Sequence, residues 1–189
     1  VIGADALSKY VDWSDRGTCV LFGDGAGAVV LASANKGEGI LSSCLAADGR
    51  GKNFLTLSGG GSRNPKPKNE KERCIYMDGK EVFKFAVKAL EKYLLKALDE
   101  AKLKIDDLNL IIPHQANIRI IEHVANKLHI PINKFFINLQ KYGNTSSASI
   151  PIALDEAYRS GMIRKNDIIA IVGFGAGLTC GANIIHWEV

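Results

Sequence analysis

The sequence predicts an α/β protein with a mixed five-stranded sheet flanked by helices. Through residues 35–189, apolar runs of strand character alternate with amphipathic segments of period 3.6, an order that favours parallel strands joined by right-handed crossovers. Residues 168–172 are wholly apolar, as is typical of a strand buried on both faces of a parallel sheet. A glycine-rich turn then leads into a last segment at 178–187, which is predicted to return as one antiparallel strand.

Composition and charge narrow the class of protein. The 189 residues are 47% hydrophobic and 23% charged, and this length supports one core, or one domain and a piece of another. No apolar run approaches the roughly 18 residues of a membrane span, and no leader pattern opens the chain, so we expect a cytoplasmic protein without a membrane partner. A net charge of +4 is too weak to indicate nucleic acid but is compatible with an acidic protein partner.

The four cysteines lie in apolar or strand-like surroundings and lack the close spacing of metal ligands. We expect buried, reduced thiols, with neither a disulfide framework nor a metal site. The cysteines are Cys19, Cys44, Cys74 and Cys180. The chain begins at Val1 within an apolar run and without Met, so we expect a part of a longer protein.

Residues 1–34 contain a glycine run that must be tested as a dinucleotide-binding loop. Gly23, Gly25 and Ala28 match G-x-G-x-x-A, and Asp48 lies at a suitable distance for a ribose contact. That motif must open a helix, because the phosphate binds free helix N–H groups, whereas β-branched residues follow here. We therefore interpret the glycines as small residues that allow close backbone approach between packed sheets. Strands are predicted from the strand-like residues at 1–4, 19–22 and 29–32.

The middle of the chain predicts one strand, one surface excursion and one long helix. A linker at 35–39 precedes a strand at 40–47, and the Gly-, Pro- and Lys-rich residues 52–74 predict an excursion with a short hairpin. Apolar residues at helical spacing predict a helix over 79–102. Lysines recur every fourth residue along it, either as a solvated face or as a surface for an acidic partner. They are Lys80, Lys84, Lys88, Lys92 and Lys96.

Three loops are predicted to meet at one edge of the sheet. His114 follows a strand at 110–113 and precedes a helix that runs to Leu128. Asn144 follows a strand predicted at 135–139 and precedes a helix, capped by Thr145 or Ser146, that runs through residue 160. The turn at 173–177 follows the buried strand. Because the carboxyl ends of parallel strands share one edge, we expect a single ligand crevice.

That crevice would hold hydrogen-bond donors without a nucleophile. His114, Asn144 and a backbone N–H of the glycine-rich turn suit an oxyanion or enolate, the charge that develops in acyl transfer and decarboxylation. A lone histidine at a strand end is also compatible with a purely structural role, in which its side chain caps backbone groups or makes all its hydrogen bonds within the core. No cysteine lies at a strand-to-helix elbow, and Ser146, Ser147 and Ser149 are typical of caps and helix starts, with no base evidently paired. The residues alone predict half an active site.

Four segments of the chain together form a specific combination, and they are residues 15–28, 113–119, 143–151 and 173–177. In this order they resemble β-ketoacyl-acyl-carrier-protein synthase III, the thiolase-fold condensing enzyme that starts bacterial fatty acid synthesis, and the resemblance covers the whole chain. It implies a thiolase-like fold, with residues 1–34 as the tail of the first half and residues 35–189 as the complete second half of a duplicated βαβαβαββ architecture. The family's nucleophilic cysteine belongs to an earlier segment, so none of the four cysteines takes that role.

The resemblance implies an acyltransferase that condenses acetyl-CoA, or another short acyl-CoA, with malonyl-acyl-carrier protein to give 3-oxoacyl-carrier protein. It implies a homodimer and no cofactor besides the coenzyme A thioester that serves as substrate. His114 and Asn144 would stabilise the thioester enolate formed on decarboxylation. The backbone N–H of Ala176, which replaces the family's middle glycine, would complete the oxyanion hole.

The same resemblance implies the remaining contacts. Residues implied at the substrate and coenzyme A site are Asn117, Phe174 and Gly79, with Lys80 standing where relatives often have asparagine. Residues implied at the acyl-carrier-protein surface are Gln115, Ala116, Asn117, Ile118 and Arg119, extended by Lys84 and Lys127. Arg119 would meet the acidic carrier, although a solvated helix residue is the alternative.

Two alternatives to the whole hypothesis remain: another thiolase-fold synthase, of hydroxymethylglutaryl-CoA or polyketide type, or a catalytically silent fragment that only associates with its other half or a second copy.

Overall fold

The computed structural model of the protein describes residues 1–189 and contains eight strands and four α-helices. The strands are β1 (Ile2–Ala6), β2 (Asp24–Ala28), β3 (Gly39–Ala47), β4 (Leu55–Leu57), β5 (Ile75–Met77), β6 (Leu110–Pro113), β7 (Ile168–Gly175) and β8 (Thr179–His186). The helices are α1 (Gly79–Ala101), α2 (Ile118–Lys127), α3 (Leu139–Tyr142) and α4 (Ser149–Arg159). Short 3-10 helices cover Leu7–Tyr10, Gly49–Gly51, Glu70–Arg73, Ile105–Asp107, Ile132–Lys134 and Ser146–Ala148.

The central sheet is mixed and has the strand order β3-β8-β7-β6. Strands β6 and β7 are parallel, whereas β8 runs antiparallel to both β7 and β3. The predicted α/β class and the antiparallel last strand are therefore confirmed. The register pairs Pro113 with Val172, so the ends of β6 and β7 bring their following residues to the same edge of the sheet.

The prediction of a fifth strand at 135–139 is wrong. Only one bridge forms there, between Phe135 and Ile111. Beyond it, the buried side-chain amide of Gln115 takes the place of a strand partner: its Nε2 donates to the Phe136 carbonyl at 3.1 Å, and its Oε1 accepts from the Asn138 N–H at 3.0 Å. Because a side chain satisfies these backbone groups, the segment leaves the sheet after a single residue.

Helix α1 confirms the long helix predicted from residue 79. The Asp78 carboxylate caps it by accepting from the Glu81 N–H at 3.1 Å, and Lys102 ends it in the left-handed conformation with φ 58°. Its apolar face is buried against β8, β3, β7 and α2, where it forms most of the main hydrophobic core. All five lysines of the row are exposed on the opposite side. No helix in the structure combines the length and apolar character that a membrane span requires.

Residues 1–34 form a separate two-stranded hairpin in which the glycine run is itself a strand. Strand β2 pairs antiparallel with β1, and the strands predicted at 19–22 and 29–32 do not form. A Cβ atom added at Gly27 would lie 2.8 Å from Cβ of Pro151, and one at Gly23 would overlap the Tyr142 carbonyl oxygen. The predicted close backbone approach is thus confirmed, but the predicted partner is wrong: the missing side chains let β2 lie against the start of α4, not against a second sheet.

The excursion at 52–74 is closed by a short antiparallel ladder between β4 and β5. This confirms the predicted hairpin, although its strands lie at the two ends of the excursion. The Asp78 N–H also donates to the Phe54 carbonyl at 2.7 Å, which ties the excursion to the start of α1.

Candidate active site

A cleft of about 1360 Å³ opens at the carboxyl ends of β6 and β7. Its lining is mostly apolar and includes residues of β3, β4, β5 and α1. The structure brings seven of the predicted site residues together in this cleft, and they are His114, Asn144, Ala176, Asn117, Phe174, Gly79 and Ala116. The single crevice predicted from the strand order is therefore confirmed.

His114 lies one residue beyond β6, where its N–H donates to the Val172 carbonyl at 2.8 Å. Its half-buried imidazole meets the edge of the Phe174 ring at a centroid distance of 5.2 Å and an interplanar angle of 74°. The Nδ1 atom is 2.6 Å from the Ser149 hydroxyl oxygen. Burial lowers the pKa of His114 to about 4, so the ring is neutral at neutral pH and carries one N–H.

The backbone of Asn144 is held on both sides by the segment that precedes β2. Its N–H donates to the Leu21 carbonyl at 2.8 Å, and its carbonyl accepts from the Gly23 N–H at 2.9 Å. Its side-chain Oδ1 accepts from the Ser146 N–H at 2.9 Å, an orientation that Ser146 reaches with a left-handed φ of 53°. Because Oδ1 is occupied, the Nδ2 amide of Asn144 is the group left to donate into the cleft.

The predicted cap of the following helix is wrong. Neither Thr145 nor Ser146 caps the short 3-10 helix or α4 through its side chain. Instead, the Asp5 carboxylate of β1 accepts from the Ser147 N–H at 3.0 Å and from the Ser147 hydroxyl at 2.5 Å. The hydroxyl hydrogen bond lowers the pKa of Asp5. A residue 142 positions away thus supplies the capping carboxylate, which no local pattern can reveal.

Ala176 and Phe174 lie where β7 turns into β8. The Ala176 carbonyl accepts from the Thr179 hydroxyl at 3.2 Å, and its N–H donates to no loop carbonyl. Ala176 has no positive φ, so alanine fits this turn without backbone strain. Phe174 also meets Phe85 of α1 edge to face at 6.5 Å, which fixes the ring that contacts His114.

The expected contact of Gln115 with a carrier protein is wrong. Gln115 is 1% exposed, and its Nε2 also donates to the Pro113 carbonyl at 2.8 Å, so the side chain has no free surface. It instead joins the loop after β6 to the segment before Asn144. Asn117 caps α2 by accepting from the Arg119 N–H at 2.9 Å, while Arg119 itself is exposed.

Lys84 and Lys127 were expected to extend the basic surface, and each of them forms an ion pair. Lys84 Nζ is 2.6 Å from Glu81, and Lys127 Nζ is 2.6 Å from Glu91. Their charges are therefore partly compensated, while Lys88 of α1 makes no ion pair. The lysine row stays a prediction as a docking surface.

Two of the four thiols lie in surroundings that disfavour a nucleophilic thiolate. Cys44 and Cys180 are buried, and desolvation raises the pKa of both thiols. Cys19 and Cys74 are half-buried, which makes the prediction of buried thiols correct for two of the four. No group of three His, Cys, Asp or Glu side chains is arranged to hold a metal ion.

Ser149 is the partner of His114 that sequence reasoning missed, because it was interpreted as a helix residue without a paired base. It is 2% exposed and does not line the cleft. A buried hydroxyl cannot reach a substrate carbonyl, so its pairing with His114 is not a nucleophile–base pair. The 35 residues that separate the two side chains hid the contact, and no local signal marks it.

The fold and the cleft define the class of thiolase-fold enzymes, whose solved members superpose on this chain. The synthase III from Thermus thermophilus aligns with a TM-score of 0.91 and 45% identity, over 99% of this chain and 58% of that structure. A priming β-ketosynthase from the R1128 polyketide pathway aligns with a TM-score of 0.84 and 31% identity, over 99% of this chain and 56% of that structure. These alignments confirm the predicted thiolase-like fold.

Sequence comparisons identify the family. Residues 1–49 match the family described as 3-oxoacyl-[acyl-carrier-protein] synthase III, and residues 98–187 match its C-terminal counterpart. The β-ketoacyl-[acyl-carrier-protein] synthase III of Caldanaerobacter subterraneus subsp. tengcongensis is 52% identical over 191 residues, or 100% of this chain. The chain belongs to the β-ketoacyl-acyl-carrier-protein synthase III family. It spans 58% of the length of that curated relative.

Proposed function

We propose that this chain forms the enolate-stabilising part of an acyltransferase that starts bacterial fatty acid synthesis. In the reaction, a cysteine outside this chain accepts an acetyl or other short acyl group from coenzyme A. Malonyl-acyl-carrier protein then loses CO2, and the resulting enolate attacks the acyl thioester to give 3-oxoacyl-carrier protein. The observation that carries the proposal is the arrangement of His114 and Asn144, two neutral donors in one largely apolar cleft.

The geometry supports a role for His114 and Asn144 at the enolate oxygen and for Ala176 at the acyl thioester. Decarboxylation moves a pair of electrons onto the thioester oxygen, and donors in an apolar cleft stabilise that charge more than water does. The Nδ2 amide of Asn144 is free for this purpose because Oδ1 is occupied by Ser146. A neutral His114 can donate from one ring nitrogen without supplying a proton to the carbanion. The Ala176 N–H is proposed as part of the oxyanion hole for the acyl thioester.

Partners and assembly follow the same hypothesis. We infer an acyl carrier protein, acyl-CoA and malonyl-carrier protein as partners and substrates, a homodimer, and a cytoplasmic location. Arg119, exposed at the first turn of α2 beside the cleft, is proposed to meet the acidic carrier. Residues 1–34 are proposed as the tail of the first half of the fold, which agrees with their separate hairpin.

The test is decarboxylation of malonyl-acyl-carrier protein by the intact enzyme. His114→Ala and Asn144→Ala should each lower kcat by about 10²- to 10³-fold, the effect of removing one oxyanion donor. The matched control is Asn126→Ala, at an exposed residue of α2, which should stay within about twofold of the wild type. Unchanged decarboxylation in both cleft variants would exclude the proposal.

A polyketide-type synthase is the second candidate, favoured by the likeness to the R1128 priming ketosynthase. The two enzymes would share the cleft chemistry and differ in their carrier proteins. Assays of the intact enzyme with a fatty acid carrier and with a polyketide carrier distinguish them. Faster condensation on the fatty acid carrier supports the first candidate, and the reverse preference supports the second.

A further inference from the structure

We propose that Ser149 is a positioning residue that holds His114 in the tautomer whose proton is on Nε2. This inference rests on the proposed function, since that proton is the one offered to the enolate. Ser149 begins α4, is 2% exposed, and places its hydroxyl oxygen 2.6 Å from His114 Nδ1. It acts on the reaction through the imidazole, because its own side chain does not line the cleft.

The direction of the hydrogen bond follows from the partners of the hydroxyl. The Gln115 N–H donates to the Ser149 oxygen at 3.4 Å, which uses one of its acceptor positions. The only other partner of this hydroxyl is His114 Nδ1. If Nδ1 carried the ring proton, the oxygen would accept twice and its own buried hydrogen would have no acceptor. The arrangement that satisfies every group has the hydroxyl donating to Nδ1, which leaves the proton on Nε2.

Fixing which ring nitrogen carries the proton matters here because the imidazole is neutral. A protonated ring donates from both nitrogens, whereas a neutral ring has one donor and one acceptor. In the other tautomer, the Nε2 lone pair would face the enolate oxygen and repel its charge. The fixed ring plane adds to this effect, because the Phe174 edge contact and the Ser149 hydrogen bond hold the imidazole from two sides.

The first experiment reads the tautomer directly. With ¹⁵N-labelled histidine in the intact enzyme at pH 7, the two ring nitrogens of His114 give separate chemical shifts for protonated and unprotonated nitrogen. We expect the wild type to show an Nε2–H signal and an unprotonated Nδ1. A wild-type ring protonated on Nδ1 overturns the proposal, whatever the activity of the enzyme. This readout is therefore independent of the proposed function and of whether any variant folds.

The second experiment tests the consequence. Ser149→Ala should add an Nδ1–H population and lower kcat for decarboxylation about tenfold, with KM changed less than about twofold, because ground-state binding is untouched. Ser149→Thr retains the hydroxyl and should restore the wild-type tautomer and most of the rate. Ser160→Ala, at the other end of the same helix, is the matched control and should change neither. An unchanged tautomer in Ser149→Ala contradicts the proposal.

Discussion

The buried amide of Gln115 is expected to be a main determinant of stability around the cleft. Gln115→Leu keeps the volume but removes three hydrogen bonds, to the Pro113 and Phe136 carbonyls and to the Asn138 N–H. An unsatisfied buried group costs about 1–3 kcal/mol, so three groups give a loss of at least about 3 kcal/mol in the free energy of unfolding. Leucine cannot recover this, because the backbone groups of the 136–138 segment then have neither a strand nor a side chain to bind.

Equilibrium urea unfolding of the intact enzyme measures this loss. Gln140→Leu is the matched control, because Gln140 is exposed and makes only one weak hydrogen bond, at 3.4 Å, to the Ile137 carbonyl. The control should stay within about 0.5 kcal/mol of the wild type. If Gln115→Leu costs less than about 1 kcal/mol, the amide does not substitute for the missing fifth strand and the explanation of the four-stranded sheet is wrong.

Two further perturbations test the environment of the donors. The free energy of unfolding should fall as pH decreases from 6.5 to about 4, by up to about 3 kcal/mol, because the unfolded chain protonates His114 before the native state does. Urea unfolding at pH 7 and 4.5 should show a smaller loss in His114→Gln than in the wild type, because carboxyls with lowered pKa values, such as that of Glu156, contribute to both proteins. Equal losses in the two proteins would contradict the prediction. Gly23→Ala should cost about 1–3 kcal/mol, since its Cβ overlaps the Tyr142 carbonyl and displaces the backbone that holds Asn144. Gly61→Ala, in open space, is the control, and equal stability of the two variants would refute the steric argument.

Local sequence patterns were sufficient to predict the helices and strands that nearby residues determine. Helix α1 follows from its 3.6-residue apolar period and its Asp78 cap, both contained in the segment itself. Strand β7 follows from an apolar run too short for a helix and bounded by turn residues. The position of His114 just beyond a buried strand, and of Asn144 in a glycine-containing loop, also needs only nearby residues. The common edge of His114 and the 173–177 turn then follows from the parallel order of β6 and β7.

The tertiary structure decided which polar groups satisfy one another across long separations. Residues 135–139 have strand character, yet the Gln115 amide takes their hydrogen bonds, since backbone groups accept any partner of suitable geometry. The same applies to Asp5, which caps Ser147 from the first hairpin. Gln115 is polar and next to a helix start, so its burial is visible only when its three partners are in place.

The sequence by itself therefore determined the α/β class, the long helix, the buried strands and the placement of His114 and Asn144 in loops, because side-chain period and chain order carry that information. Only the tertiary structure decided that the segment around Gly23 forms hydrogen bonds with the backbone of Asn144, that the sheet has four strands, and that Ser149 binds His114. The contact of Asn144 with Gly23 joins residues 121 positions apart, and that of Ser149 with His114 joins residues 35 positions apart. Their energies depend on distance and direction in space, which no spacing along the chain encodes.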